Sequence, residues 1–191
     1  NPENDWYQLF KGYKGVKVEQ TEWDLVEVQY CDDTGGCFVS ISPSQEPIPG
    51  SSQRFLRERK IDFVLVRQFV IGLHGKNWLP TLSAMMFSNL PSVNTLQSVF
   101  LSTDRTASIG ELRKIQNRVG RDRFPLAPMT FYTNSSGTSA CLTRSQKLPA
   151  VAKVGTSLGG YGKMRIADPA DWADFSSVLA LGTEFVTVEP F

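Results

Sequence analysis

The chain has 191 residues, with 20 Lys and Arg against 19 Asp and Glu and a formal net charge of +1 at pH 7. That balance supplies no bulk attraction to nucleic acid, and no run approaches the ~18 consecutive apolar residues of a membrane-spanning helix. Three cysteines are too few for a disulfide-built fold and fit a reducing, cytosolic compartment.

Asn1 to Asp5 is polar and does not open as a signal peptide does. Val16–Gln20, Leu25–Tyr30 and Cys37–Ile41 alternate apolar and polar residues, which predicts half-buried strands. Cys31 and Cys37 flank a hairpin turn at Asp32-Asp33-Thr34-Gly35-Gly36; the compartment favours two reduced thiols over a bridge across the strands. Ser42–Ser52, with three prolines and a glycine among serines, reads as a loop. Ile61–Val66 is a short apolar run suited to a buried parallel strand. Asn77–Leu90 is amphipathic, with Trp78, Leu82, Met85 and Met86 at helical spacing, and Leu90-Pro91-Ser92 ends it. Asn94 is placed to cap a short helix carrying Leu96, Val99 and Phe100.

The chain divides most naturally between Ser102 and Arg105. Beyond it, Ser108-Ile109-Gly110-Glu111 has capping-box spacing. Ile109, Leu112, Ile115 and Val119 form one apolar helix face, and Gly120 suits the helix end. Phe124–Tyr132 reads as a connection and a strand, and Asn134–Gln146 as a polar loop whose Asn134-Ser135-Ser136 sequon is idle in a cytosolic chain. Strands are predicted at Ala150–Val154 and Met164–Ile166. Asp168-Pro169 then opens a helix that buries Trp172, Phe175 and Leu179, and Phe185–Val188 is a last strand. Strands alternating with helices argue for an α/β (α+β) architecture.

Chemistry concentrates in Lys153-Val154-Gly155-Thr156-Ser157-Leu158-Gly159-Gly160-Tyr161-Gly162-Lys163. A lysine ends one strand, a glycine loop follows, and a second lysine begins the next strand. Glycines let backbone N–H groups approach an anion closely, and two ammonium groups neutralise phosphate oxygens. The loop leads into a strand, and neither G-x-x-x-x-G-K-[ST] nor G-x-G-x-x-G is present. By its residues alone the segment is equally a plain hairpin with exposed lysines. His74, the one histidine, lies between Gly72 and Gly75 without an identifiable catalytic partner and reads as a loop residue. No His/Cys cluster has zinc spacing.

Asp62-Phe63-Val64-Leu65-Val66-Arg67-Gln68, Leu90-Pro91-Ser92-Val93-Asn94-Thr95-Leu96-Gln97-Ser98, and Phe124-Pro125-Leu126 with Thr130-Phe131-Tyr132 closely resemble segments of the synapsin family. Trp6 and Val16–Gln20 extend the match toward the start. The glycine loop, Ser177–Leu181 and Glu189-Pro190-Phe191 carry it to the end. The resemblance is weakest at Tyr30–Arg59 and Asn134–Leu148. It implies a small pre-ATP-grasp α/β domain over residues 1–103, followed at 104–191 by the first part of an ATP-grasp domain. The family continues past Glu-Pro-Phe, and the part beyond supplies its metal-binding acids and the second wall of its ATP site.

The resemblance further implies ATP as ligand, with a calcium or magnesium ion. Lys153 stands where the family's strand lysine contacts phosphates. Gly159, Gly160, Tyr161, Gly162 and Lys163 form the cover loop. Glu189 and Phe191 begin the hinge that receives the adenine. Arg105 replaces a phosphate-reaching lysine, and Tyr161 a smaller residue. The implied function is an ATP-binding protein of the cytoplasmic face of synaptic vesicles that regulates vesicle clustering and neurotransmitter release, self-associates as a homodimer and binds no nucleic acid. The alternatives are an ATP-grasp carboxylate–amine ligase, for which no acceptor site is identifiable, and a dimerisation module that has lost nucleotide binding.

Overall fold

A computed structural model of the chain describes residues 4–34, 36–43, 56–72, 75–133 and 147–191. His74, Cys141 and the Asn134 sequon lie outside these residues. The chain forms two compact units, Asn1–Thr103 and Asp104–Phe191.

The first unit holds a three-stranded antiparallel sheet of β1 (Val26–Cys31), β2 (Cys37–Ile41) and β3 (Arg57–Lys60), in that order. The central strand β2 is the most apolar: Cys37 and Val39 are fully buried and Ile41 nearly so. β3 escapes sequence reading because Arg57-Glu58-Arg59-Lys60 has no apolar alternation. It is a strand nonetheless, paired Val39↔Arg59 and Ile41↔Arg57. Its two arginines meet Glu19, at 3.4 Å from Arg57 and 2.9 Å from Arg59. Glu19 therefore belongs to a charge network, and Val16–Gln20 does not form the expected strand: it lies in no sheet, and Gln20 is used to accept the Trp6 N–H at 3.1 Å.

Ile61–Val66 is also not a continuous strand. Its one ladder contact is a parallel bridge between Val64 and Ser92, with Val64 N donating to Pro91 O at 2.9 Å. Proline has no N–H with which to extend that ladder. Preceding it, α1 (Trp6–Phe10) is capped by Asp5. Then α2 (Leu79–Phe87) carries Pro80 in its first turn and buries Leu82 and Met85. Asn89, at φ 51, turns the chain out of it. In α3 (Leu96–Ser102) the cap is Thr95, whose Oγ1 accepts from Ser98 N at 3.2 Å, one residue later than the expected Asn94.

The second unit opens with α4 (Arg105–Val119). Its cap is Asp104, which accepts from the N–H groups of Thr106 and Ala107, so Ser108 falls inside the first turns. The face predicted to be apolar stays open: Leu112 is 38% exposed and Ile115 44%, while Gln116 is buried and donates to Phe124 O at 2.8 Å. A four-stranded antiparallel sheet follows, in the order β4 (Thr130–Tyr132), β7 (Val186–Pro190), β5 (Ala150–Val154), β6 (Lys163–Ile166). One face of this sheet packs against α5 (Pro169–Leu179). Asp168 caps that helix, and it buries Trp172, Phe175 and Leu179 against Ala150, Ala152, Ile166, Val186 and Val188. Alanines on β5 leave room for the indole and phenyl rings, which meet at 5.5 Å between centroids.

Candidate site on the open sheet face

A strand sends alternate side chains to opposite faces. In β5, Ala150 and Ala152 go to the α5 core, so Val151 and Lys153 project to the other face. In β7, Val186 and Val188 are in the core, so Thr187 and Glu189 project oppositely, with Phe191 continuing the series. In β6, Met164 and Ile166 pack on the core side, which places Lys163 and Arg165 opposite. The register Lys153↔Lys163 and Lys153↔Thr187 sets these residues side by side. The open face thus gathers Lys153, Lys163, Glu189 and Phe191, residues widely separated in sequence. It also gathers Arg165, which sequence reading missed. Its guanidinium lies 4.6 Å from the Phe191 ring centroid, a cation–π arrangement. The available signal was its position two residues after Lys163.

Arg105 reaches the same face from the first turn of α4. Its guanidinium donates to Thr187 Oγ1 and, at 3.5 Å, to Gly155 O; the Met129 sulfur is also 3.5 Å away. Arg105 Nε is buried with no hydrogen-bond partner. No carboxylate is in ion-pair range of this guanidinium among the described residues. Beside it, the Thr106 hydroxyl, ahead of the Thr106 and Ala107 N–H groups, holds the Asp104 carboxyl below its usual range.

Lys153 faces away from Ala152, and its ammonium is paired. It makes an ion pair with Glu189, both side chains being about four-fifths buried (19% and 23% exposed). Lys163 turns back over the loop, its Nζ 3.1 Å from where a Cβ on Gly160 would stand. The loop is tied at its base by Val154 N to Gly162 O and Gly155 N to Phe185 O, each 2.8 Å. Gly155, at φ +54, lies under Glu184, whose Oε2 would be 2.8 Å from an added Cβ. Gly159, Gly160 and Gly162 also have positive φ, and Tyr161 stands 66% exposed at the loop's tip. The Phe131 and Phe185 rings stack at 4.9 Å beside Thr187. Arg105, Lys153, Lys163, Glu189 and Phe191 therefore share one surface, closed at one end by the hairpin of Gly159, Gly160, Tyr161 and Gly162.

Two shallow concavities lie elsewhere. One, about 390 Å³, is in the first unit between Asp33, Lys60, Asp62 and Asn89. A second, about 240 Å³, lies between Arg113, Arg121 and Met129. Neither gathers cations opposite a glycine loop. Among the described residues no group of three or more His, Cys, Asp or Glu is arranged to hold a metal ion.

Residues 1–92, most of the first unit, match the model of a pre-ATP-grasp domain, and the unit after it matches that of an ATP-binding domain. The matching models are those described as "Synapsin pre-ATP-grasp domain", at residues 1–92, and "Synapsin, ATP binding domain", at residues 94–191. The chain belongs to the synapsin family. It is similar to Synapsin of Drosophila melanogaster, at 28% identity over 98% of this chain, and spans 18% of the length of that relative. Among solved structures it is similar to N5-carboxyaminoimidazole ribonucleotide synthetase in its ADP complex, at 15% identity with a TM-score of 0.43, covering 58% of this chain and 27% of the other. A RimK-domain ATP-grasp protein of Sphaerobacter thermophilus is similar at 17% identity and a TM-score of 0.47, covering 66% and 44%.

Proposed function

We propose that this chain is the nucleotide-binding part of a synapsin-type protein, with ATP phosphates held on the open face of the second unit. The observation that carries this reading is the sheltered guanidinium of Arg105 beside the glycine loop, which makes no ion pair among the described residues and keeps a buried Nε without a partner. A sheltered charge is costly unless it is paired, and a phosphate oxygen would pair it. Lys153 and Lys163 support the reading because they sit directly opposite one another. Like charges at opposed positions destabilise a sheet, and a polyanion between them reverses the sign of that term. In this arrangement Arg105 holds phosphate oxygens through its planar fork, Lys153 and Lys163 act as point charges, and Gly159, Gly160, Tyr161 and Gly162 cover them. Glu189 and Phe191 face the adenine.

The proposed ligand is ATP with a calcium or magnesium ion; among the described residues no acidic cluster is arranged to hold that ion. The whole protein is proposed to act as a homodimer at the cytoplasmic face of synaptic vesicles, regulating clustering and transmitter release. Family membership supports that part of the reading.

Calorimetry on the full-length protein with ATP and magnesium or calcium tests the site. Saturable binding is expected, and Arg105→Met is expected to weaken it by about 1.5–3 kcal/mol, as for a lost hydrogen bond to a charged group. No heat with either ion would leave the dimerisation module as the better reading. Flotation with purified synaptic vesicles tests the cellular half separately, and failure to float refutes that half alone.

A further inference from the structure

The hairpin between β1 and β2 holds a thiol pair that the nucleotide site does not use. Cys31 ends β1, Cys37 begins β2, and the two are partners in the register. Cys37 O accepts from Ile61 N at 2.8 Å, so the polar backbone of Cys37 faces away from β1. The Cys31–Cys37 pair is therefore the non-hydrogen-bonded kind, in which opposed Cα atoms approach to about 4.5 Å. That separation lies inside the range a disulfide spans, about 4.4–6.8 Å. The sulfurs are 3.2 Å apart and both cysteines are free thiols.

Asp32 ties the two sides of the hairpin together. Asp32 N donates to Gly36 O at 3.0 Å. Asp32 Oδ1 accepts from Thr34 N, the Thr34 hydroxyl and Gly36 N, at 3.0, 2.7 and 2.8 Å. The thiols differ in access: Cys31 is half-buried on an edge strand, and Cys37 is fully buried. Burial also pushes the Cys37 thiol up to about 12, with the Cys31 hydrogen bond adding to the effect.

We propose that Cys31 and Cys37 form an oxidation site, closed by hydrogen peroxide to a reversible intrachain disulfide that staples the β1–β2 hairpin. The Cys31 sulfur attacks one peroxide oxygen. An S–O bond forms and the O–O bond breaks, and the departing hydroxide takes the thiol proton and leaves as water. The Cys37 sulfur then attacks the Cys31 sulfur. The S–S bond forms, the S–O bond breaks, and the hydroxide leaves with the Cys37 proton as a second water. Two thiols lose two electrons and one peroxide becomes two waters. The fixed register matters at the second step, because the resolving sulfur is already in contact and outcompetes further oxidation of Cys31. A dithiol reductant reverses the change by exchange.

The test treats the full-length protein with hydrogen peroxide, removes the excess with catalase, blocks remaining thiols with N-ethylmaleimide under denaturing conditions, and maps peptides without reduction. Cleavage at Asp32 and Asp33 separates the two cysteines in sequence, so a bridge leaves their fragments joined. The expected result is joined fragments carrying no maleimide, and, after dithiothreitol and fresh N-ethylmaleimide, separate fragments each carrying one label. Cys31→Ser, at the half-buried position, is expected to leave Cys37 unoxidised and fully labelled at the same peroxide dose. Sulfinic acid on Cys31 with Cys37 labelled would overturn the proposal, as would a bridge from either residue to Cys141 or full labelling of both.

Discussion

Breaking the Lys153–Glu189 pair tests the site most sharply, because two roles predict different outcomes. Both side chains are about four-fifths buried, so the pair lies between exposed pairs worth about 0.2–1 kcal/mol and buried pairs whose breakage costs about 3–5 kcal/mol. A coupling of about 1–2 kcal/mol is the resulting estimate. Lys153→Met leaves the Glu189 carboxylate without its partner and is expected to lower Tm by roughly 2–8 °C, at about 2–4 °C per kcal/mol for a chain of this size. Glu189→Gln on the Lys153→Met background should recover most of that loss. Calorimetry supplies the other arm. Lys153→Met is expected to weaken ATP binding by about 1.5–3 kcal/mol, a factor of about 10–150. Glu189→Gln frees the ammonium for phosphate and keeps a carbonyl acceptor for an adenine amino group, so affinity should hold or rise. If Lys153→Met lowers Tm and leaves ATP affinity unchanged, the lysine serves the sheet and its assignment to phosphate is wrong.

Gly155→Ala places a Cβ at positive φ and 2.8 Å from Glu184 Oε2; a loss of about 1–2 kcal/mol in thermal unfolding is expected, and an unchanged Tm would show that the loop relaxes freely. Lys163→Glu removes a like charge opposite Lys153, so it should raise Tm without nucleotide and abolish the stabilisation that ATP confers; a fall in Tm would mean that the two ammoniums do not repel. Asp104 has its carboxyl held low by its hydrogen bond to the Thr106 hydroxyl. A folded value below the unfolded one of about 3.9 gives stability that is present above pH 4 and lost as pH falls through the folded value. Asp104→Asn should flatten that part of the acid limb in pH-dependent melts, and Asp104→Ala should cost about 0.5–2 kcal/mol at neutral pH. An acid limb identical in Asp104→Asn would refute the assignment.

The second unit was legible because its elements carry local signals. Asp168-Pro169 states where α5 begins, and the spacing of Trp172, Phe175 and Leu179 states which side it buries. The first unit was less so. β3 is written in charges, since Arg57 and Arg59 answer Glu19, and no local period records a partner so distant in sequence. Ile61–Val66 looked like a strand because its residues are apolar, yet whether a strand forms depends on a neighbour, and Pro91 ends that neighbour's ladder. Capping failed for a related reason. Asn94 and Ser108 have the right chemistry, but so do Thr95 and Asp104, and the choice depends on where the preceding chain leaves the helix.

The site was legible as a list of residues but not as a surface, because what joins them is strand register. Lys153 and Lys163 bracket the glycine loop in sequence, so their apposition follows once the loop closes a hairpin with Lys153 opposite Lys163. Glu189 enters only when β7 lies beside β5, and Arg165 only when β6 is known to send Met164 and Ile166 inward. A shift of one residue in either pairing would exchange the faces: Ala152 and Val188 would leave the α5 core, and Lys153 would meet Trp172 and Phe175. The packing of α5 on Ala150 and Ala152 therefore does more than hold the unit together. By fixing which side is dry, it forces Arg165, Lys153, Lys163 and Glu189 onto the other, where Arg105 also lies. The charge imbalance there, four cations against the single carboxylate of Glu189 among the residues named, is an unfavourable term for folding alone. Under the proposed reading a bound polyanion offsets that term, while the hydrophobic core behind the face supplies the stability that the face gives up.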